Sequence, residues 1–263
     1  MLQQNSFQIP EPVLRIAEDL NTYLPLAAGD RRHVTPEYVL WMGPTSDPHH
    51  NVVQRLRIEN GALPTVVAQA RAFFKADGRH QATWEVGNSA TPHDLGAQLM
   101  ALGMKPDDPD PVATGMVLPQ ALETSSSSKI VAKRVETLAE YIACCEIVQS
   151  CFGSPPDDDV QQQFDHFQAD PQKTRWIALS NTVPVAMADA THLEFATILN
   201  GAATLPDSRG QGAYRALLAA RFAEAKNRGA PMLVTQAGSM SRPILESLGF
   251  LEMAKVHIFV DTF

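Results

Sequence analysis

Residues 205–214 read Leu-Pro-Asp-Ser-Arg-Gly-Gln-Gly-Ala-Tyr, and this run holds the densest set of groups able to grip an anion. Gly210 and Gly212 lie between a strand pattern and the first turn of a helix pattern. At such a junction the leading backbone N–H groups have no intrahelical acceptor, and the helix dipole favours negative charge. Gly210, Gln211, Gly212 and Ala213 supply main-chain donors, small residues admit close approach, and Arg209 adds a charge-assisted hydrogen bond. The dipole is worth only about 0.3–1 kcal/mol at an exposed site, so several donors must converge. The ligand that fits is a pyrophosphate.

Two familiar pyrophosphate loops are excluded by the residues that follow. A nucleotide-hydrolase loop needs Gly-Lys-Ser/Thr, whereas Gly212 precedes Ala213 and Tyr214. A dinucleotide fingerprint needs a third glycine where Arg215 stands, and an all-parallel sheet.

The surrounding pattern is not all-parallel. Strands are expected over 130–135, 175–180, 184–190 and 193–205, with polar turns at Asn181 and at Thr191–His192, which makes an antiparallel meander. A helix is expected from Thr137 to Gly153, a second over 157–168 after a turn at Pro155–Pro156, and a third from Tyr214 to Asn227. A strand over 231–236, a helix over 239–248 and a last strand over 253–260 complete a mixed α+β unit with one parallel crossover.

The run Ser125–Ser128 inside residues 119–129 offers no packing surface and reads as a linker. The expected division is therefore 1–118, a linker 119–129, and 130–263, each flank having the size of one domain. A weak repeat joins them: residues 71–79, 82–86 and 99–104 echo 221–229, 232–236 and 246–250 in the order helix, strand, helix, Leu-Gly-hydrophobic. The first copy has Asn60-Gly61-Ala62-Leu63-Pro64 where the second has its glycine loop, so a duplicated fold with one degenerate copy is expected.

Composition narrows the partners. Of 263 residues, 44% are hydrophobic and 19% charged, which is ample for packed cores. The formal net charge of -8 provides no basic field for a nucleic-acid backbone. No apolar run approaches the ~20 residues of a membrane span and no signal peptide is evident, so a cytoplasmic location is expected. Cys144, Cys145 and Cys151 fit neither a disulfide framework nor a zinc knuckle, and His49-His50 has no ligand partner at useful spacing. No metal is expected. The acidic run 157–159 is read as a helix start.

Arg209-Gly210-Gln211-Gly212-Ala213-Tyr214, preceded by Pro206, resembles the acyl-CoA pyrophosphate motif of the GNAT superfamily of N-acetyltransferases. The resemblance continues through Leu245-Glu246-Ser247-Leu248-Gly249-Phe250, similar to the family's closing helix and Gly-Phe, and covers about 130–263, more faintly the first half. It implies an α/β (mixed α+β) fold of two tandem GNAT-like domains, each a mostly antiparallel mixed sheet flanked by helices. It also implies acetyl-CoA as cosubstrate and a small-molecule or peptide amine as acceptor, in a monomer or homodimer. Ala202, Ala203 and Thr204 would bond the pantetheine arm, Arg209 to Tyr214 the pyrophosphate, and residues 236–238 would flank the thioester. The family often carries a Tyr in the last helix where Leu245 stands here, and an Asn where Gly238 stands.

Acetyl transfer needs a neutral amine at attack distance and a route for its proton. Glu194 and His192, sharing one face of the central strand by period two, are the expected proton acceptors, with Glu194 favoured and Asp189 nearby. A non-catalytic acyl-CoA-binding sensor or interaction module is the alternative.

Overall fold

The computed structural model describes residues 8–27, 29–121, 130–153 and 159–263. The serine run and the turn at Pro155–Pro156 lie outside these.

The first half contains α1 (Glu11–Glu18), α2 (Leu20–Tyr23), β1 (Arg31–Val34), β2 (Val39–Met42), β3 (Asn51–Gln54), α3 (Leu63–Lys75), β4 (Gln81–Val86), α4 (Leu95–Ala101), β5 (Lys105–Pro106) and β6 (Val112–Leu118). The second contains β7 (Ile130–Arg134), α5 (Leu138–Phe152), α6 (Val160–Ala169), β8 (Lys173–Ser180), β9 (Val183–His192), β10 (Thr197–Thr204), α7 (Ala213–Asn227), β11 (Leu233–Ala237), α8 (Arg242–Ser247) and β12 (Leu251–Thr262). The expected elements of the second half are all present. Local chemistry explains their ends: the Thr137 hydroxyl accepts from Glu140 N, the Glu140 carboxylate returns the bond, and Gly153 closes α5 in the left-handed region.

Two compact units result, and they are not contiguous in sequence. The N-terminal unit comprises Ile9–Val117, Gln236–Ser247 and Leu251–Phe263; the C-terminal unit is built on Leu118–Thr235 with Leu248–Phe250. In the N-terminal unit β1, β2 and β3 pair antiparallel, and β3 pairs parallel with β4. β12 then lies between β4 and β6, antiparallel to both. The last strand, placed by sequence with 130–263, thus completes the sheet of the first half, where the single cut at 119–129 would leave β4 without that neighbour. Trp84, Phe74, Leu95 and Leu99 centre the core beneath α3 and α4.

In the C-terminal unit β7, β8, β9 and β10 form the expected antiparallel meander and β11 joins β10 in parallel. α7 covers one face through Ala213 and Leu217, packed against Ala186 and Ala188. α5 and α6 cover the other through Tyr141, Cys144, Phe164 and Phe167 over Ile177 and Met187. One boundary differs from expectation: β9 continues through His192 and the turn falls at 193–196, where Leu193 N donates to Ala196 O at 2.9 Å.

Candidate functional site

β10 and β11 pair at only two positions, Thr197 with Leu233 and Ile198 with Val234, and then part. The register of β10 against β9 shifts between Asn200 and Ala202, so Gly201 is the extra residue of a β-bulge that bends β10 at the start of the fork. The Thr235 hydroxyl still bridges the fork, donating to Leu199 O at 3.3 Å.

Beyond the bulge the backbone alternates. Leu205 N donates to Val185 O, so Ala203 also turns its N–H and C=O toward β9. Ala202 and Thr204 turn theirs to the side that β11 has left, where the Thr204 carbonyl already accepts from Arg209 Nε and the Cys151 thiol. Of the three residues expected to hold a pantetheine arm, Ala202 and Thr204 have the right direction and Ala203 is committed to the sheet, its side chain 4% exposed.

The strand runs straight into the glycine loop. Leu205 O accepts from Ser208 N at 2.9 Å and Pro206 O from Arg209 N at 3.2 Å, forming a single tight turn. Gly210 (φ +75°) and Gly212 (φ +90°) then adopt left-handed conformations that side chains resist, and Gly212 caps α7 without any side-chain cap. A Cβ built at Gly210 would meet nothing within 4 Å, so the loop faces open space. Among the described residues the N–H groups of Gly210, Gln211, Gly212 and Ala213 have no acceptor. The side chains secure the loop instead: Arg209 Nε donates to Thr204 O at 3.2 Å and Gln211 Nε2 to Asp207 O at 2.8 Å. The result is a row of outward donors at a helix start, continuous with a strand whose free edge faces a fork. That is the shape and polarity needed to take an extended ligand ending in a doubly charged anion.

Tyr214, in the first turn of α7, is half-buried, and its ring lies 5.8 Å from the Arg221 guanidinium carbon. Arg221 is 1% exposed; its Nε donates to Leu217 O and its Nη1 to Asp189 O, at 3.2 and 3.1 Å. Burial lowers its pKa, against the influence of Tyr214 and Asp189. Sequence reasoning missed Arg221 because its spacing marks it as one more position on a helix face.

The expected proton acceptors are elsewhere. His192 is 6% exposed and both ring nitrogens are engaged, Nε2 with the Thr174 hydroxyl and Nδ1 with the Thr197 hydroxyl, each at 2.9 Å. Burial, reinforced by the Arg228 charge, pushes its pKa down to about 4. It is a neutral structural residue. Glu194 is exposed in the 193–196 turn, at the start of β10, while the glycine loop follows its end. Seven residue steps at ~3.3 Å separate the two ends of that strand. Both lie on the closed side of the fork, His192 opposite Thr197 and Glu194 in the turn before β10, and far from the glycine loop. Asp189 is held by Arg175, whose Nε and Nη2 donate to its two oxygens at 2.7 and 2.8 Å. Burial alone would lower the Arg175 pKa, but the Asp189 charge and hydrogen bonds outweigh it and the pKa is raised.

Leu245 is 4% exposed and carries no acid. At Gly238 a Cβ would meet the Asp110 carboxylate, which accepts from Ser239 N at 3.0 and 3.1 Å, so a side chain there would have to displace that carboxylate. Among the described residues no group of three or more His, Cys, Asp and Glu could hold a metal, and no helix is long and apolar enough to cross a membrane.

Residues 141–250 match the model of the acetyltransferase (GNAT) family. Over 95% of both chains, this chain is similar to a GCN5-related N-acetyltransferase from Kribbella flavida, with 20% identity and a TM-score of 0.73. It is also similar to a tandem GNAT protein from the clavulanic acid biosynthesis pathway, with 14% identity over 96% of this chain and 88% of that one and a TM-score of 0.63. A GCN5-related N-acetyltransferase from Sphaerobacter thermophilus matches with 17% identity, 92% and 84% coverage and a TM-score of 0.62. At these identities the likeness is one of fold, and it extends over both halves. No curated protein matches the chain.

Proposed function

We propose that this chain, which carries a GNAT acetyltransferase domain, transfers an acetyl group from acetyl-CoA to a primary amine at the fork of its C-terminal unit. The observation that carries this reading is the row of unaccepted N–H groups from Gly210 to Ala213, set at the end of a strand whose other free edge faces the fork. Those donors suit a pyrophosphate, and Ala202 and Thr204 suit the amide-bearing arm that would follow it. Bound there, acetyl-CoA supplies an activated acyl carbon: the amine nitrogen bonds to it, the C–S pair leaves with sulfur, and the ammonium proton passes to water.

The chain's own contribution is positional. The bulge at Asn200–Ala202 and the Thr235 bridge fix where the fork opens, and holding two reactants in register can replace several kcal/mol of barrier, up to ~7–11 in favourable cases. With His192 sequestered, Asp189 paired and Glu194 exposed in the turn on the closed side of the fork, the amine is expected to arrive already neutral. Thiol release from acetyl-CoA, followed with a panel of primary amines across pH 6.5–9.5, tests this. Turnover should rise with pH along each amine's own titration; a single pH midpoint shared by all amines would point to a base in the protein instead.

A second reading, an acyl-CoA sensor without turnover, is favoured by one feature: apolar Leu245 stands where a leaving-group acid is expected. Cofactor binding without transfer to any amine of the panel would select it.

A further inference from the structure

The N-terminal unit repeats the fork. β3 and β4 pair in parallel only at Val52 with Thr83 and Val53 with Trp84. Immediately past that pair the chain turns left-handed at Arg55 (φ +55°). Val53 and Trp84 point into the core beneath α3 and α4, so by alternation Gln54 and Glu85 face the opposite side, toward the α1–α2 segment. This fork has no anion loop. α3 begins Leu63-Pro64 after Ala62, so Pro64 removes one of the leading donors.

What fills the fork is acidic and incompletely bonded. Asp19, at the junction of α1 and α2, is 4% exposed and accepts from Arg55 N at 3.1 Å. Its other oxygen lies 3.8 Å from Arg57 Nη2. Glu85 is 8% exposed; Oε1 accepts from Asn21 Nδ2 at 3.3 Å, and Oε2 has no partner. Gln54 is fully buried with both amide atoms unpartnered. Glu18 and Tyr23 face Asp19 electrostatically from the two helices, and Arg55 and Arg57 from the end of β3. The charge felt by Glu85 is that of Asp19, and burial with this like charge holds the carboxyl neutral, pushed up to about 8.

We propose that this second fork is a binding site for a primary ammonium group, held by Glu85, Asp19 and Gln54. An ammonium brings three donors and a positive charge, matching the free Glu85 oxygen, the Gln54 carbonyl and the outer Asp19 oxygen; water brings two donors and no charge. Buried polar atoms without partners are costly, and such groups mark places where a ligand or ordered solvent belongs. The α1–α2 segment covers the site, and its helical geometry breaks at Asp19 (φ −117°, ψ 56°). Binding converts the neutral carboxyl to carboxylate, so one proton leaves as the ammonium enters. The site does not rest on the acetyl-transfer reading.

Calorimetric titration of the full chain with methylammonium chloride at pH 7, in phosphate and in HEPES, tests it without any acyl-CoA. One site per chain is expected, with release of about one proton seen as a buffer-dependent enthalpy. Tetramethylammonium, which has no N–H, should not bind. Glu85→Gln keeps the shape of the protonated acid and should fold, weaken methylammonium by about tenfold or more and abolish proton release. The proposal is overturned by absence of methylammonium binding, which would leave the space to water only, by equal binding of tetramethylammonium, or by binding and proton release unchanged in Glu85→Gln.

Discussion

Arg209 and Thr204 are tied together: Arg209 Nε donates to the Thr204 carbonyl at 3.2 Å, linking the one cation of the glycine loop to the last residue of the strand before it. The Cys151 thiol meets the same carbonyl at 3.4 Å. Strand end, loop and α5 therefore meet at one carbonyl, which ties the glycine loop to the sheet.

Gly212→Ala should expose how much the loop depends on its left-handed cap. Forcing a Cβ into φ +90° costs about 1–2 kcal/mol, so urea unfolding should show a loss of that order. CoA affinity should fall as well, because relief of the strain turns the donors aside.

Glu194→Gln should leave turnover within about twofold, since the residue is exposed in the turn on the closed side of the fork. His192 acts on stability. Its folded pKa of about 4 lies below the unfolded value of 6.5, so the unfolded chain binds the extra proton between them. Stability is fully present above pH 6.5 and declines as pH falls toward 4, by up to roughly 3 kcal/mol. Denaturation midpoints of wild type and His192→Asn across pH 4–7 should therefore converge at the acid end.

Asp189→Asn should cost about 3–5 kcal/mol, because it strands Arg175 as a largely buried charge stacked 4.4 Å from the Tyr141 ring centre. A kinetic role for Asp189 would appear as lost turnover at full stability; thermal unfolding and turnover measured on one sample separate the two.

The N-terminal unit should respond to pH in the opposite sense. Glu85 and Asp19 have folded pKa values of about 8 and 6, each above its unfolded value, chiefly through burial. The native state holds the extra protons, so this contribution is complete below about pH 4 and is lost as pH rises toward 8. Glu85→Gln should flatten the decline between pH 6 and 9 in urea titrations.

The sequence carried those parts of the site that local chemistry dictates. Gly210 and Gly212 before an apolar helix, a polar break at Asn181, and Thr137 with Glu140 at a helix start each specify a conformation within a few residues. Partner choice is not local. β12 alternates like any half-buried strand, and nothing within it says that Phe259 will lie opposite Trp84, 175 positions earlier in the chain. His192 was misplaced for a related reason: period two gave its face, but that face lies under α7, where Thr174 and Thr197 close both nitrogens. Glu85 and Gln54 read as ordinary polar residues until the α1–α2 segment is seen to cover them.

The account turns on whether the peptide nitrogens from Gly210 to Ala213 take a pyrophosphate. Titration of the chain with CoA, and separately with pantetheine, which lacks that group, asks this directly. One CoA site per chain, pantetheine weaker by at least about tenfold, and no CoA binding in Gly212→Glu are the predicted results. Equal affinity for CoA and pantetheine, or CoA bound undiminished by Gly212→Glu, would contradict the assignment.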